Sequence, residues 1–320
     1  MVLADAAGIT RAAKLLADGG LVAVPTETVY GLAARADSAK AVARIYAAKG
    51  RPDFNPLIVH VRDAEHASLY AEWLPDAELA AMSHWPGPLT LVLPRKPDAD
   101  LAQAVTAGLP TIAVRAPAHP VMQALLNAVD FPLAAPSANR SGFISPTCAQ
   151  HVLASLDTQI DLVLDAGPTS AGVESTILAI GRDGAWRELR PGPVDSDALH
   201  RHYFDHGMND RQVPPTSENA IEAPGQLASH YAPGKPVRLG VTTPDADEFY
   251  IGFSENAADC TLSAIGNLKE AAARLYDCLH QAARSSKPRI AIAPIPMTGI
   301  GRAINDRLAR AAAPDDGQQS

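Results

Sequence analysis

Apolar runs and amphipathic stretches alternate through the first 190 residues of the chain. ITRAAKLLADGG spaces its apolar positions along one helical face and ends on glycines, which predicts a helix. LVAVP after it predicts a short buried strand. AVARIYAAKG, residues 41–50, predicts a second helix closing on Gly50, and LIVHV a strand. Helical PDAELAAMSH follows, then strands LTLVLP and TIAVRAP, helix HPVMQALLNAV and strand PLAAP. LVLDAG, STILAI and WRELRP complete the series. This alternation predicts an α/β fold with an open mixed sheet. From Pro191 to about Lys235 the pattern gives way to Pro, Asp, Ser and His, with one short helix around DALHRHYF. That stretch reads as a long linker. Beyond it VRLG, EFYIGF and PRIAIAP predict strands, and NLKEAAARLYDCLHQAARSS and GRAINDRLARAAA predict helices. They make a second, smaller α/β domain with a polar, frayed end at PDDGQQS.

A length of 320 residues agrees with two domains. With 47% hydrophobic and 19% charged residues, both can bury real cores. The net charge of −8 speaks against a broad nucleic-acid footprint but leaves room for a local basic pocket. Cys148, Cys260 and Cys278 lack paired spacing for a disulfide framework or zinc, which fits a reducing compartment. The N-terminus has no signal-peptide core, and no apolar run approaches a membrane span. A cytoplasmic location, with no membrane contact, is the expectation.

Three polar stretches carry candidate chemistry. PTETVYGL follows the first buried strand, where open α/β sheets bind ligands. Thr26, Glu27, Thr28 and Tyr30 offer hydroxyls and a carboxylate there, though a Thr-capped helix start is an equal reading. KGRPDFNPLIVH places Lys49 and Arg51 two residues apart beside two prolines. A helix end explains Lys49 and Gly50; a phosphate grip would also explain Arg51. PSANRSG is an ordinary polar turn or a concavity of backbone N–H groups for phosphate. No GxxxxGK[ST] loop and no strand-borne GxGxxG occurs. His200, His202 and His206 in HRHYFDH read as a solvated linker rather than metal ligands, and GIGRAIND as a plain helix start.

In their order and spacing, PTETVYGL, KGRPDFNPLIVH, TIAVRAPAHP, APSANRSG, GVESTI and LRPGP closely resemble the YrdC-like family of threonylcarbamoyl-AMP synthases. The resemblance spans residues 1–193. PGQLASHYAP and GIGRAINDRLARAA resemble the linker and tail of that family's two-domain form, although the tail is shorter than usual and Gln226 stands where an apolar residue is commoner. The resemblance implies a catalytic domain at 1–193, a linker at 194–235 folding over the active site and a Rossmann-like domain at 236–320. It also implies the reaction: L-threonine, bicarbonate or CO2, and ATP give threonylcarbamoyl-AMP and pyrophosphate, the first step of tRNA t6A modification. Mg2+ would be held mainly through the phosphates, with no protein metal site.

By the same resemblance, Lys49, Arg51, Ser137 and Asn139 form a catalytic tetrad around the ATP phosphates. Asn55, Thr111, Ser145 and Arg190 are further ATP contacts, joined by His230 and Tyr231 from the linker. Thr28, His60, Arg115 and Ser175 face threonine. The threonylcarbamoyltransferase machinery for tRNA is an implied partner. Such chemistry needs oriented reactants and neutralised phosphates, and positioning alone can contribute on the order of 7–11 kcal/mol. Two alternatives share the fold. An RNA-binding module disagrees with the acidic balance. A hydrogenase-maturation carbamoyl-transfer domain lacks here its zinc-finger and acylphosphatase segments.

Overall fold

A computed structural model describes residues 1–196, 198–199, 201, 221–227, 229–254 and 258–314. The first domain begins with β1 (Val2–Leu3), α1 (Ala6–Ala17), β2 (Val22–Val24), β3 (Gly31–Arg35), α2 (Ala39–Lys49) and β4 (Ile58–His60). It continues through α3 (Ala64–Ala67), α4 (Pro75–His84), β5 (Leu89–Pro94), β6 (Thr111–Arg115), α5 (Pro120–Asn127) and β7 (Leu133–Ala134). It closes with α6 (Ala149–Leu156), β8 (Leu162–Asp165), β9 (Thr176–Ile180) and β10 (Trp186–Arg190). Among the described residues these strands form one mixed sheet in the order β1–β8–β2–β3–β7–β4–β6–β5–β9–β10.

Local chemistry sets the boundaries of these elements. The Asp5 carboxylate accepts the Gly8 N–H at 2.8 Å to cap α1, and Ser38 caps α2. Gly50 ends α2 in the left-handed region at φ 57°, where it turns the chain at no Cβ cost. The central strands are mostly apolar because the sheet is covered on both faces, as in β5, where every residue is buried. Alternation along β2 sends Val22 and Val24 to Leu16, Met122 and Leu125 of α1 and α5, and Ala23 to the opposite layer with Val42, Ile45 and Val152. Each such buried side chain contributes about 1.5–3 kcal/mol.

The second domain holds β11 (Val237–Leu239), β12 (Glu248–Gly252), β13 (Cys260–Thr261), α7 (Leu268–Arg284), β14 (Arg289–Ile292) and α8 (Gly301–Ala312). Its four strands are all parallel, in the order β11–β14–β12–β13. Its core takes in Val29, Ile144 and Val173 of the first domain beside Leu275, Tyr276 and Ile304, so apolar packing runs across the junction. Gly172, at φ 72°, lies so near α7 that a Cβ there would stand 2.2 Å from the Ala272 carbonyl oxygen.

Several expectations need correction. PTETVYGL starts no helix: its last two residues open β3, and the Thr26 hydroxyl closes a turn by donating to the Val29 carbonyl at 2.7 Å. A strand so short and Ala-rich gives little periodic signal. Helix α6, after PSANRSG, was also unforeseen. Cys260 and Cys278 are joined in a disulfide with Cα atoms 5.9 Å apart, because the chain returns from β13 along α7 within 18 residues. The cysteine argument for a reducing compartment falls with it. His200, His202, His206 and the tail from 315 lie outside the described residues. No described helix is long and apolar enough to cross a membrane.

Candidate active site

A partly open cleft, about 550 Å³ when the solvent at its mouth is included, lies among the loops at the ends of β2, β4, β6, β7 and β9. Thr28, Arg51, His60, Arg115, Ser137, Ser175, Arg190, His230 and Tyr231 all line it. Lys49, Asn55, Asn139 and Ser145 are buried directly behind that wall. Thr111 does not line the cavity. It starts β6, two residues before Ala113, which pairs with Ile58, and this register sets it near Pro56.

Lys49 and Arg51 leave the end of α2 on opposite sides of Gly50. Lys49 is 2% exposed, and its ammonium donates to the carbonyls of Ser137, at 2.6 Å, and of Asn139. The Lys49 carbonyl in turn accepts the Ser141 N–H at 2.8 Å, so α2 and the SANRSG turn are stitched together. Arg51 donates to the Asn55 side chain at 2.7 Å and to the Pro56 carbonyl at 2.8 Å. Among the described residues neither cation, nor Arg190, has a carboxylate in salt-bridge range. Burial, with the charge of Arg51 added, holds the Lys49 ammonium well below its ordinary range. Burial likewise takes Arg51 down to about 10. Buried cations left without a counter-ion are costly, and an anionic ligand offsets that cost.

Within the SANRSG turn the Ala138, Arg140 and Ser141 amides donate to Tyr30, Ser155 and Lys49, while those of Ser137, Asn139 and Gly142 have no protein acceptor among the described residues. Backbone N–H groups as well as side chains are therefore left to meet a phosphate there.

At the other end, His60 and Arg115 are register partners on the parallel strands β4 and β6 and share one face. Arg115 donates to Glu27 at 2.6 Å, to Thr28 at 3.0 Å and to the Gly87 carbonyl at 3.1 Å. Three of its N–H groups are thus engaged, and the fork keeps two more. Burial opposes a charge on Glu27, but Arg115 outweighs it and keeps the carboxyl below its ordinary range. Burial, helped by Arg115, lowers His60 to about 3, so its imidazole is neutral.

Pro224, Gly225, His230 and Tyr231 border the cavity from the stretch after the first domain. Ala232 donates to the Gly142 carbonyl at 2.8 Å, and the Tyr231 ring, at φ 66°, stacks on Tyr276 at 5.6 Å. Gln226 accepts the Glu222 and Ala223 amides with its side-chain oxygen, a turn that an apolar residue could not close. Burial, with Arg51, Lys49 and Arg190 nearby, takes His230 to about 3.

Five buried polar atoms around this space lack a protein partner among the described residues: Glu27 Oε2, Asn55 Nδ2, His60 Nδ1, Asn139 Oδ1 and His230 Nδ1. Native proteins pair nearly all such atoms, so orphans gathered at one cavity mark a ligand's place. The sequence reading passed over Glu174, another lining residue. It accepts from Ser145 at 2.6 Å, Tyr276 at 2.8 Å and Arg307 at 2.8 Å. Burial alone would raise its pKa, but Arg307 and Arg190 hold it at about 2. The available signal was Arg307 itself, a charge on the apolar stripe Ala303, Ile304, Leu308 and Ala311.

Residues 14–192 match the Sua5/YciO/YrdC family described as "Telomere recombination". Residues 194–313 match "Threonylcarbamoyl-AMP synthase, C-terminal domain". A threonylcarbamoyl-AMP synthase of Bacillus subtilis is 39% identical, covering 95% of this chain and 92% of its own. One of Pyrococcus abyssi is 35% identical, covering 95% and 94%. The crystal structure of P. abyssi Sua5 complexed with L-threonine superposes with a TM-score of 0.84 at 35% identity, over 95% of this chain and 94% of that one. With both domains matched in order, this chain belongs to the Sua5/YrdC family of threonylcarbamoyl-AMP synthases, in its two-domain form.

Proposed function

We infer that this chain makes L-threonylcarbamoyl-AMP from L-threonine, bicarbonate or CO2, and ATP, releasing pyrophosphate, as the first step of tRNA t6A modification. The observation that carries the reading is the pair of buried cations without carboxylate partners, Lys49 and Arg51, with Arg190, whose charge acts on Glu174, lining the same space beside five orphaned polar atoms. Such a site is complementary to a polyanion. Lys49, Arg51, Ser137 and Asn139 receive the ATP phosphates as the catalytic set, with Asn55, Ser145 and Arg190 around them. Thr111 contributes from the outer edge. His230 and Tyr231 close over the nucleotide and exclude water from a hydrolysable mixed anhydride.

Threonine occupies the Arg115 end. The two remaining Arg115 N–H groups take its carboxylate, with Glu27 and Thr28 fixing the fork, while His60 and Ser175 complete the wall. The threonine amine adds to CO2 and loses a proton to form a carbamate. A carbamate oxygen then attacks the α-phosphorus, and pyrophosphate leaves with the bond electrons. Phosphate charge builds on the leaving group, where the cations stand. No covalent enzyme intermediate is required. ATP enters as its Mg2+ complex, with the ion held mainly through the phosphates. The carboxylates at hand, Glu27 and Glu174, are each committed to an arginine. The domain limits 1–193, 194–235 and 236–320, a cytoplasmic setting and delivery to a tRNA threonylcarbamoyltransferase complete the reading.

The test is pyrophosphate release from ATP with Mg2+, bicarbonate and single amino acids. Release that needs both threonine and bicarbonate supports the reading, and release indifferent to either overturns it. An RNA-binding module would release none.

A further inference from the structure

The strands β9 and β10 are antiparallel neighbours whose open end reaches the cavity. Ser175 precedes β9, and Arg190 is the last residue of β10. Arg190 donates to the Ser175 carbonyl at 3.1 Å and to the Ser175 hydroxyl at 3.0 Å. Each of these two residues has a neighbour on its far side, Glu174 and Pro191. One guanidinium from the second domain takes both: Arg307 donates to Glu174 at 2.8 Å and to the Pro191 carbonyl at 3.0 Å. Arg307 is wholly buried, and Tyr276 of α7 gives Glu174 a further hydrogen bond at 2.8 Å.

The two residues inside this clamp are not equally dependent on it. Ser175 is also held by the Thr90 hydroxyl at 2.7 Å and stands next to the parallel pairing of β9 with β5. Beyond Ser175, the guanidinium of Arg190 finds only the Pro224 carbonyl, at 3.2 Å, among the described hydrogen bonds. The Arg190 backbone stays paired with Ile177 of β9, so a clamp lost at Glu174 and Pro191 frees its guanidinium more than it frees Ser175.

We propose that Arg307, reaching in from the second domain, is a positioning residue for the nucleotide end of the cavity: by gripping Glu174 and Pro191 together it fixes Arg190 against the phosphates. It touches no substrate itself. The inference rests on the reading that Arg190 faces ATP. The second domain then has a task beyond covering the site, since it supplies the brace that orders one of the site's cations. The charge of Glu174 belongs to the same device, because a neutral carboxyl grips a guanidinium weakly.

The experiment compares Arg307→Met, Arg307→Lys, Tyr276→Phe and Arg190→Ala in the full-length protein. Steady-state pyrophosphate release and calorimetric binding of a non-hydrolysable ATP analogue are the readouts. Arg307→Met raises the ATP KM and the analogue Kd about tenfold and leaves the threonine KM within about twofold. Relative to the native enzyme at the same pH, its analogue Kd also weakens further as pH falls from 8 to 6, because Glu174 loses its nearest cation. Arg307→Lys recovers part of the loss, since an ammonium keeps the charge without the fork. If Arg307→Met fails to fold by circular dichroism, Tyr276→Phe carries the test, with a change in the same direction of about threefold. Unchanged ATP parameters in Arg307→Met, or in Tyr276→Phe where Arg307→Met does not fold, overturn the clamp. So does an equal loss for both substrates, which marks a merely structural role. Arg190→Ala separates the two layers of the argument. If it leaves analogue binding intact, the assignment of Arg190 to ATP fails. If it weakens binding while Arg307→Met does not, the clamp alone fails.

Discussion

Lys49 shows how a helix end becomes a binding group. As the last residue of α2 it has the favourable dipole position of a terminal lysine. Yet it spends its donors on two carbonyls inside the protein and finds no carboxylate among the described residues. Arg51, just past the glycine turn, repeats the arrangement with Asn55 and Pro56. Replacing either by Ala is expected to lower kcat by a factor on the order of 10²–10³, the usual cost of removing one preorganised donor from developing phosphate charge. Both variants should keep the native circular dichroism spectrum and lose the rise in Tm that ATP gives the native protein. Full activity in both would remove the phosphate grip. At the threonine end, Glu27→Gln keeps the shape but weakens the hold on Arg115. Its expected effect is a threonine KM raised about tenfold with the ATP KM unchanged, read from the same pyrophosphate assay. The motif residues were singled out through the family resemblance, since their local chemistry alone fits a helix end or an ordinary polar turn as well. The partners that aim them were not. Glu174 bonds to Arg307 across 133 residues, and no local pattern encodes such a pair.

Elements were legible to the degree that their burial is periodic. Helices α1, α2, α5, α7 and α8 and the continuous apolar strands β2, β5 and β6 emerge from spacing alone. Strand β3 was missed because GLAAR carries too little apolar contrast, and helix α6 because the polar turn before it drew the reading toward a loop. The junction between domains depends on one further element-scale fit, the loop at Gly172 against α7. Gly172→Ala adds a methyl where the Ala273 Cα would lie 2.4 Å away, at a positive φ that Ala itself resists. A destabilisation of about 1–3 kcal/mol is expected, measurable as a lower urea midpoint. The shift should come with weaker ATP binding, because α7 carries the Tyr276 that Tyr231 and Glu174 lean on. A variant with the native midpoint would show that the two domains slide rather than interlock.

For the whole molecule, acid is the revealing stress. Burial takes His60, His230 and His280 to about 3 and His151 to about 4, against 6.5 for a free imidazole. The unfolded chain therefore binds more protons than the native one below pH 6.5, and stability must fall as pH drops through that window. Each histidine adds a slope of at most about 1.4 kcal/mol per pH unit. Glu174, held at about 2 against 4.5, adds stability that is whole above pH 4.5 and disappears as pH falls through 2. Urea midpoints at pH 7.5, 6 and 5 should descend in order, and a level series would mean that these imidazoles reach solvent. His151 and His280 stack at 3.8 Å across the domain boundary, so the same titration loosens the joint. The buried salt bridge of that joint has a further consequence, for the birth of the protein. A ribosome adding about 5–20 residues per second needs roughly ten seconds to pass from Glu174 to Arg307. Through that interval Glu174 has Ser145 and the charge of Arg190 but lacks its ion-pair partner. If the clamp acts as proposed, a nascent or truncated chain that stops before Arg307 holds ATP as weakly as Arg307→Met, and its grip tightens only once the last helix has docked.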